Sequence, residues 1–150
     1  MILVHITKIP EEIGNLQLLE ELSTQNAGLK GSILLSLFNM SSLKIMGLTV
    51  NTLVGSLPDN ICQNLPVNQE LYFSKNQLSG LIPSKLWQCT ELLYLSMSFN
   101  SFTGSIPRSI GNLTQAMEIY LANNSLTGAL PSSIGLGVPN LQELEVDLNY

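Results

Sequence analysis

Apolar residues recur along this chain in a fixed rhythm. In the window Leu92 to Met97 apolar residues hold the first and fourth positions, and then apolar and polar positions alternate with a period of two. The same alternation returns in Leu71 and Phe73, in Ile119 and Leu121, and in Leu144 and Val146. Each window predicts one short strand. An asparagine follows, at Asn51, Asn76, Asn100, Asn124 and Asn149, spaced by 25, 24, 24 and 25 residues, and Ala27 takes its place in a degenerate earlier copy. A period of this length marks a stacked repeat array, in which each turn buries its apolar side only against the turns on either side of it.

The full unit reads L-x-x-L-x-L-x-x-N-x-L-x-G-x-I-P, with starts near residues 19, 43, 68, 92, 116 and 141 and partial turns at both ends. Residues 1–150 therefore read as a single array of about six 24-residue turns. Stacked edge to edge, the strands predict a parallel sheet whose inward row is Leu22, Met46, Leu71, Leu95, Ile119 and Leu144. The repeated asparagines Asn51, Asn76, Asn100, Asn124 and Asn149 read as a structural ladder, because a side-chain amide has both donors and an acceptor for backbone groups of the neighbouring turn. Glycine recurs four positions later, at Gly31, Gly55, Gly80, Gly104 and Gly128, where the backbone must bend or approach closely. Proline recurs at Pro10, Pro58, Pro83, Pro107 and Pro131, and the apolar residues before it (Ile9, Leu57, Ile82, Ile106, Leu130) are expected in the core. The segments after proline are too short for stable helices, so the back of each turn is expected to be 3₁₀ or irregular.

Composition adds a sign. Charged residues are 11% of the chain, and eleven acids against six bases give a net charge of −5, which argues against nucleic acid as a partner. No run of 18 apolar residues predicts a membrane span, and the start lacks the features of a secretory signal. Yet three N-x-S/T acceptors occur, at Asn39, Asn112 and Asn123, as an extracellular chain would carry. The two observations are reconciled if the chain is an internal piece of a longer secreted or membrane-anchored protein.

The S/T-G-x-I/L-P signature, as in Ser79-Gly80-Leu81-Ile82-Pro83 and Thr127-Gly128-Ala129-Leu130-Pro131, resembles the plant-specific class of leucine-rich repeats. Segments such as Ile9 to Leu16 and Ile106 to Thr114 look like the ectodomains of plant leucine-rich-repeat receptor-like serine/threonine kinases. The resemblance implies an α/β-type leucine-rich-repeat solenoid, a right-handed superhelix with a parallel sheet on its concave face and a 3₁₀ or irregular convex side. It further implies a ligand-recognition segment for defence or development, placed at the extracellular face of the plasma membrane or in the cell wall. The implied partner is a peptide or protein ligand, with a co-receptor ectodomain as a second partner. Paired-cysteine caps and kinase motifs are not found in the sequence, so a truncated receptor product is expected. The alternatives are a soluble inhibitor of a cell-wall-degrading enzyme, or a truncated product without independent function.

Outward strand positions form the concave face, where such arrays bind. They include Glu20, Glu21, Glu70, Glu118, Glu143, Glu145 and Asp147, seven of the eleven acids, against Lys44 and Lys75. Aromatics interleave with the acids, and the expected ligand-binding patch is Tyr72, Tyr94, Ser96, Phe99, Glu118 and Tyr120, reading across three adjacent strands. No cofactor or metal is expected. With one histidine, His5, the chain offers no catalytic triad or metal-ligand spacing, and an enzyme is not expected. Cys62 and Cys89 fall on successive turns near one repeat position, so a bridge is conceivable, but free, buried thiols are the expected state.

Overall fold

The computed structural model describes residues 6–149, so His5 and Tyr150 lie outside the described residues. Six short strands form one parallel sheet, in the order β1 (Glu21–Ser23), β3 (Ile45–Gly47), β5 (Glu70–Tyr72), β7 (Tyr94–Ser96), β9 (Glu118–Tyr120) and β11 (Glu143–Glu145). Its register places Leu22, Met46, Leu71, Leu95, Ile119 and Leu144 side by side. The four central residues of that row are buried, while Leu22 and Leu144 at the two ends are partly so.

A second sheet runs alongside, which the sequence pattern did not lead us to expect. It is also parallel, with β2 (Lys30–Ser32), β4 (Thr52–Gly55), β6 (Gln77–Leu81), β8 (Ser101–Ser105) and β10 (Ser125–Thr127) in consecutive order. Each of the first five turns thus contributes two strands, and in all six a corner residue with positive φ follows the first strand: Asn26, Val50, Lys75, Phe99, Asn123 and Leu148, at 52° to 57°. The recurring glycines also have positive φ, from 74° at Gly104 to 88° at Gly55, so their backbones occupy a region closed to most other residues.

The asparagine ladder spans the corner and holds the two sheets together. Asn100 donates from Nδ2 to the carbonyls of Met97 and Phe73, and its Oδ1 accepts the N–H of Leu78 at 3.0 Å. Asn51, Asn76, Asn124 and Asn149 repeat this arrangement. Each asparagine thereby binds its own strand and the preceding turn, offsetting the cost of backbone groups that would otherwise be unpaired.

The convex side carries 3₁₀ helices at Glu11–Asn15, Leu35–Asn39, Leu86–Gln88 and Arg108–Asn112. Between Ser133 and Gly137 the chain instead forms one turn of α-helix, α1. Here the backbones approach closely, since a Cβ on Gly137 would collide with the carbonyl of Gly111, and the glycines make the packing possible. Two expectations are corrected on this side. Leu130 is 47% exposed rather than in the core, because no further turn in the described residues stacks on it. Cys62 and Cys89 are not free: they form a disulfide with a Cα separation of 5.1 Å, at 2% and 1% exposure. Cys62 lies in the turn Ile61–Leu65, which is one residue longer than its counterpart Ile110–Leu113.

One core position breaks the pattern. Asn68 stands where other turns place Leu43 or Leu92, and it is 1% exposed. Its amide donates to the Leu43 carbonyl at 3.2 Å, but its Oδ1 has no partner among the described residues.

Candidate functional site

Alternation along the six-stranded sheet turns every second side chain outward. Two outward rows result. Glu21, Ile45, Glu70, Tyr94, Glu118 and Glu143 form the first, and Ser23, Gly47, Tyr72, Ser96, Tyr120 and Glu145 the second. The structure brings five of the expected patch residues, Tyr72, Tyr94, Ser96, Glu118 and Tyr120, onto the adjacent strands β5, β7 and β9. Phe99 is set apart from them, at the corner beyond β7, half-exposed and with φ at +56°. There it pairs with Lys75, whose Nζ lies 5.8 Å from the ring centroid in a cation–π contact.

Two of the three phenols are fixed by carboxylates. Tyr72 donates its hydroxyl to Glu70 Oε2 at 2.8 Å. The Tyr120 hydroxyl lies 2.8 Å from both Glu118 Oε2 and Glu143 Oε2, and its one proton serves either. Burial, followed by the bond and charge of Glu70, holds the Tyr72 phenol well above its ordinary pKa. For Tyr120 the bond to Glu118 is the largest cause, followed by burial and by Glu143, and the direction is the same. Both phenols are neutral at physiological pH, so the face carries the charge of its carboxylates. Tyr94 reaches over Met117, with its hydroxyl 3.8 Å from the sulfur, and the Ser96 hydroxyl pairs with that of Ser74.

Few cations compensate the acids. Lys44 is paired with Glu20 at 2.7 Å, away from the tyrosines, and Lys85 lies 3.9 Å from Asp59 on the convex side. Among the described residues, Glu70, Glu118, Glu143 and Glu145 have no cationic partner. Beside Tyr72 the absence of a side chain at Gly47 leaves a recess, lined also by Glu21, Gln25, Ile45 and Glu70. The sequence pattern did not single out this recess, although a glycine in an outward row is its signal. Among the described residues no group of histidine, cysteine or acidic side chains is arranged to hold a metal ion. An open sheet of pinned phenols and uncompensated carboxylates can bind a basic, partly apolar surface by contact and by charge.

The three glycosylation candidates stand in different settings. Asn39 and Asn112 are exposed at the ends of 3₁₀ helices, whereas Asn123 is half-buried at a corner between the two sheets.

Comparison with known proteins agrees with this architecture. The family described as Leucine Rich Repeat matches residues 69–89, 91–113 and 117–136. Receptor-like protein 52 of Arabidopsis thaliana is 41% identical over 80 residues, which are 53% of this chain and 10% of that protein. The ectodomain of the Arabidopsis receptor kinase HAESA, solved with the peptide hormone IDA and the co-receptor SERK1, superposes with a TM-score of 0.88 at 34% identity. That match covers 93% of this chain and 24% of the HAESA chain. The BIR2 ectodomain from Arabidopsis thaliana superposes with a TM-score of 0.73 at 30% identity, covering 85% of this chain and 67% of BIR2. The chain thus spans a tenth of the curated relative and about a quarter of the HAESA ectodomain.

Proposed function

Since the chain belongs to the leucine-rich-repeat family and is built like the ectodomains of plant receptors, we propose that it is a ligand-recognition segment of a longer cell-surface receptor. Its ligand is a peptide or protein with basic character, bound across β5, β7 and β9. The observation that carries this reading is the set of carboxylates without cationic partners, interleaved with tyrosines whose hydroxyls they fix. Neutral aromatic surface supplies contact area at low entropic cost, and the carboxylates attract and orient a cationic partner. HAESA, solved with a peptide hormone and a co-receptor, supports the same kind of partner for this array.

The Cys62–Cys89 bridge supports an extracellular location, since structural disulfides persist in oxidising compartments. No helix among the described residues is long and apolar enough to cross a membrane. Membrane attachment and signalling therefore fall to other parts of the parent receptor, of the receptor-kinase or receptor-like-protein kind.

A peptide library panned on the immobilised chain at low and at physiological salt tests the proposal. Enrichment of Lys- and Arg-containing peptides, lost in Tyr94→Ala and Tyr120→Ala, is the expected result. Enrichment that is indifferent to both substitutions and to salt would overturn it.

A further inference from the structure

The three N-x-S/T acceptors look alike in sequence, but the fold treats them differently. Asn39 and Asn112 end 3₁₀ helices at the same repeat position, three turns apart, and both side chains are exposed. The next residue in each acceptor, Met40 or Leu113, is fully buried and anchors the chain, while Ser41 and Thr114 are exposed. Asn112 makes no side-chain hydrogen bond among the described residues. Asn39 uses only its Oδ1, which accepts from Asn64 Nδ2 at 2.8 Å, so its own Nδ2 is free for substitution.

Asn123 lies in the opposite setting. It is half-buried at φ +54°, its N–H donates to the Asp147 carbonyl at 3.0 Å, and its carbonyl accepts from Asn100 N–H. The next residue, Asn124, is 4% exposed and bonded on both sides of its amide, and Ser125 opens strand β10. All three residues of this acceptor are held by the corner between the sheets. A branched glycan is bulky and strongly hydrated and needs open solvent at its root.

We propose that Asn39 and Asn112 carry N-linked glycans and that Asn123 does not. The inference rests on the cell-surface reading above. It also gives that reading a direction. Asn112 precedes strand β9 by six residues and Asn123 follows its end by three, so they lie on opposite flanks of the concave sheet. Glycans at Asn39 and Asn112 cover the flank by which the chain enters that sheet. The flank bearing Lys75, Phe99 and the second sheet stays bare and leaves the tyrosines open on that side.

The whole chain, secreted from plant cells behind a heterologous leader, is digested and treated with a peptide N-glycosidase in heavy-oxygen water, which marks each formerly glycosylated asparagine. Marks at Asn39 and Asn112 with none at Asn123 are expected. Asn39→Gln and Asn112→Gln should each remove one glycan from the intact mass, and Asn123→Gln none. Ser125→Ala removes the third acceptor by trimming an exposed side chain while Asn123 and Asn124 stay in place, and should also leave the mass of the glycans unchanged. Substantial occupancy at Asn123, or an empty Asn39 or Asn112, would overturn the proposal. If secretion fails, cell-free translation with microsomes counts the same sites by stepwise gel shifts. The leader forces entry to the secretory pathway, so an empty site bears on the glycan proposal alone. Peptide panning on the same sample tests the binding reading separately.

Discussion

The side-chain oxygen of Asn124 accepts the backbone N–H of Phe102 at 3.1 Å, twenty-two residues earlier in the chain. Phe102 is fully buried within the second sheet, so this bond joins the asparagine of one turn to the core of the turn before it. Asn100 does the same for Leu78. Replacing Asn100 with leucine would strand the N–H of Leu78 together with carbonyls of two turns. Asn100→Leu is expected to cost roughly 1–3 kcal/mol, read as a lower urea midpoint with an unchanged slope. An unaltered midpoint would refute the ladder's energetic role.

Asn68→Leu should act in the opposite direction. The change gives up one long bond to the Leu43 carbonyl, but it removes a buried carbonyl oxygen without a partner and restores the apolar residue that other turns place there. The gain is expected to be about 1 kcal/mol in thermal or chemical unfolding. A loss of stability would mean that the buried amide has a favourable role that its bonds do not reveal.

Val50 is a β-branched residue held at φ +56°. L-residues in the left-handed region carry a penalty of roughly 1–2 kcal/mol, and asparagine, which Asn26 and Asn123 supply at equivalent corners, tolerates it. Val50→Asn should raise the melting temperature by about 3 °C. A lowered melting temperature would show that side-chain packing at this corner outweighs the backbone strain.

Asp59 accepts both the N–H of Ser84 at 2.8 Å and its hydroxyl at 2.7 Å, joining two successive turns on the convex side. The hydroxyl bond, then the N–H bond, and Lys85 more weakly hold the carboxyl below the usual aspartate range. A depressed folded pKa stabilises the fold above the unfolded value of about 4, and the contribution is lost as pH falls through the folded pKa. The difference in melting temperature between the parent chain and Asp59→Asn should therefore be constant from neutrality to about pH 5 and shrink below pH 4. A difference independent of pH would contradict the coupling.

Much of this architecture is written in the repeat. Period-two alternation identifies the inward row from Leu22 to Leu144, since a strand buried on one side can place its apolar residues in no other way. The second sheet is concealed in the sequence for a physical reason. Thr52-Leu53-Val54-Gly55 and its counterparts each carry a glycine in or beside the strand, and a glycine at positive φ suggests a turn before it suggests a strand. The bridge is not legible from spacing, because Cys62 and Cys89 are 27 residues apart, out of step with the repeat. On the concave face, which residues point outward follows from alternation. That Tyr120 shares its proton between carboxylates on two strands, and that Phe99 meets Lys75, depends on rotamers and a corner that no spacing encodes.

Packing contacts between elements join only neighbouring turns, so the array is free to peel from either side one turn at a time. The disulfide between Cys62 and Cys89 interrupts that process near the middle. Two adjacent turns there are locked by a covalent bond that loosening neighbours cannot open, and a loss of order advancing from one side meets a firebreak before it reaches the other. Strands β5 and β7, which carry Tyr72 and Tyr94, lie just past the two bridged cysteines in the chain. The recognition surface is thus anchored where the array is hardest to unravel, and damage at its margins need not spread to it.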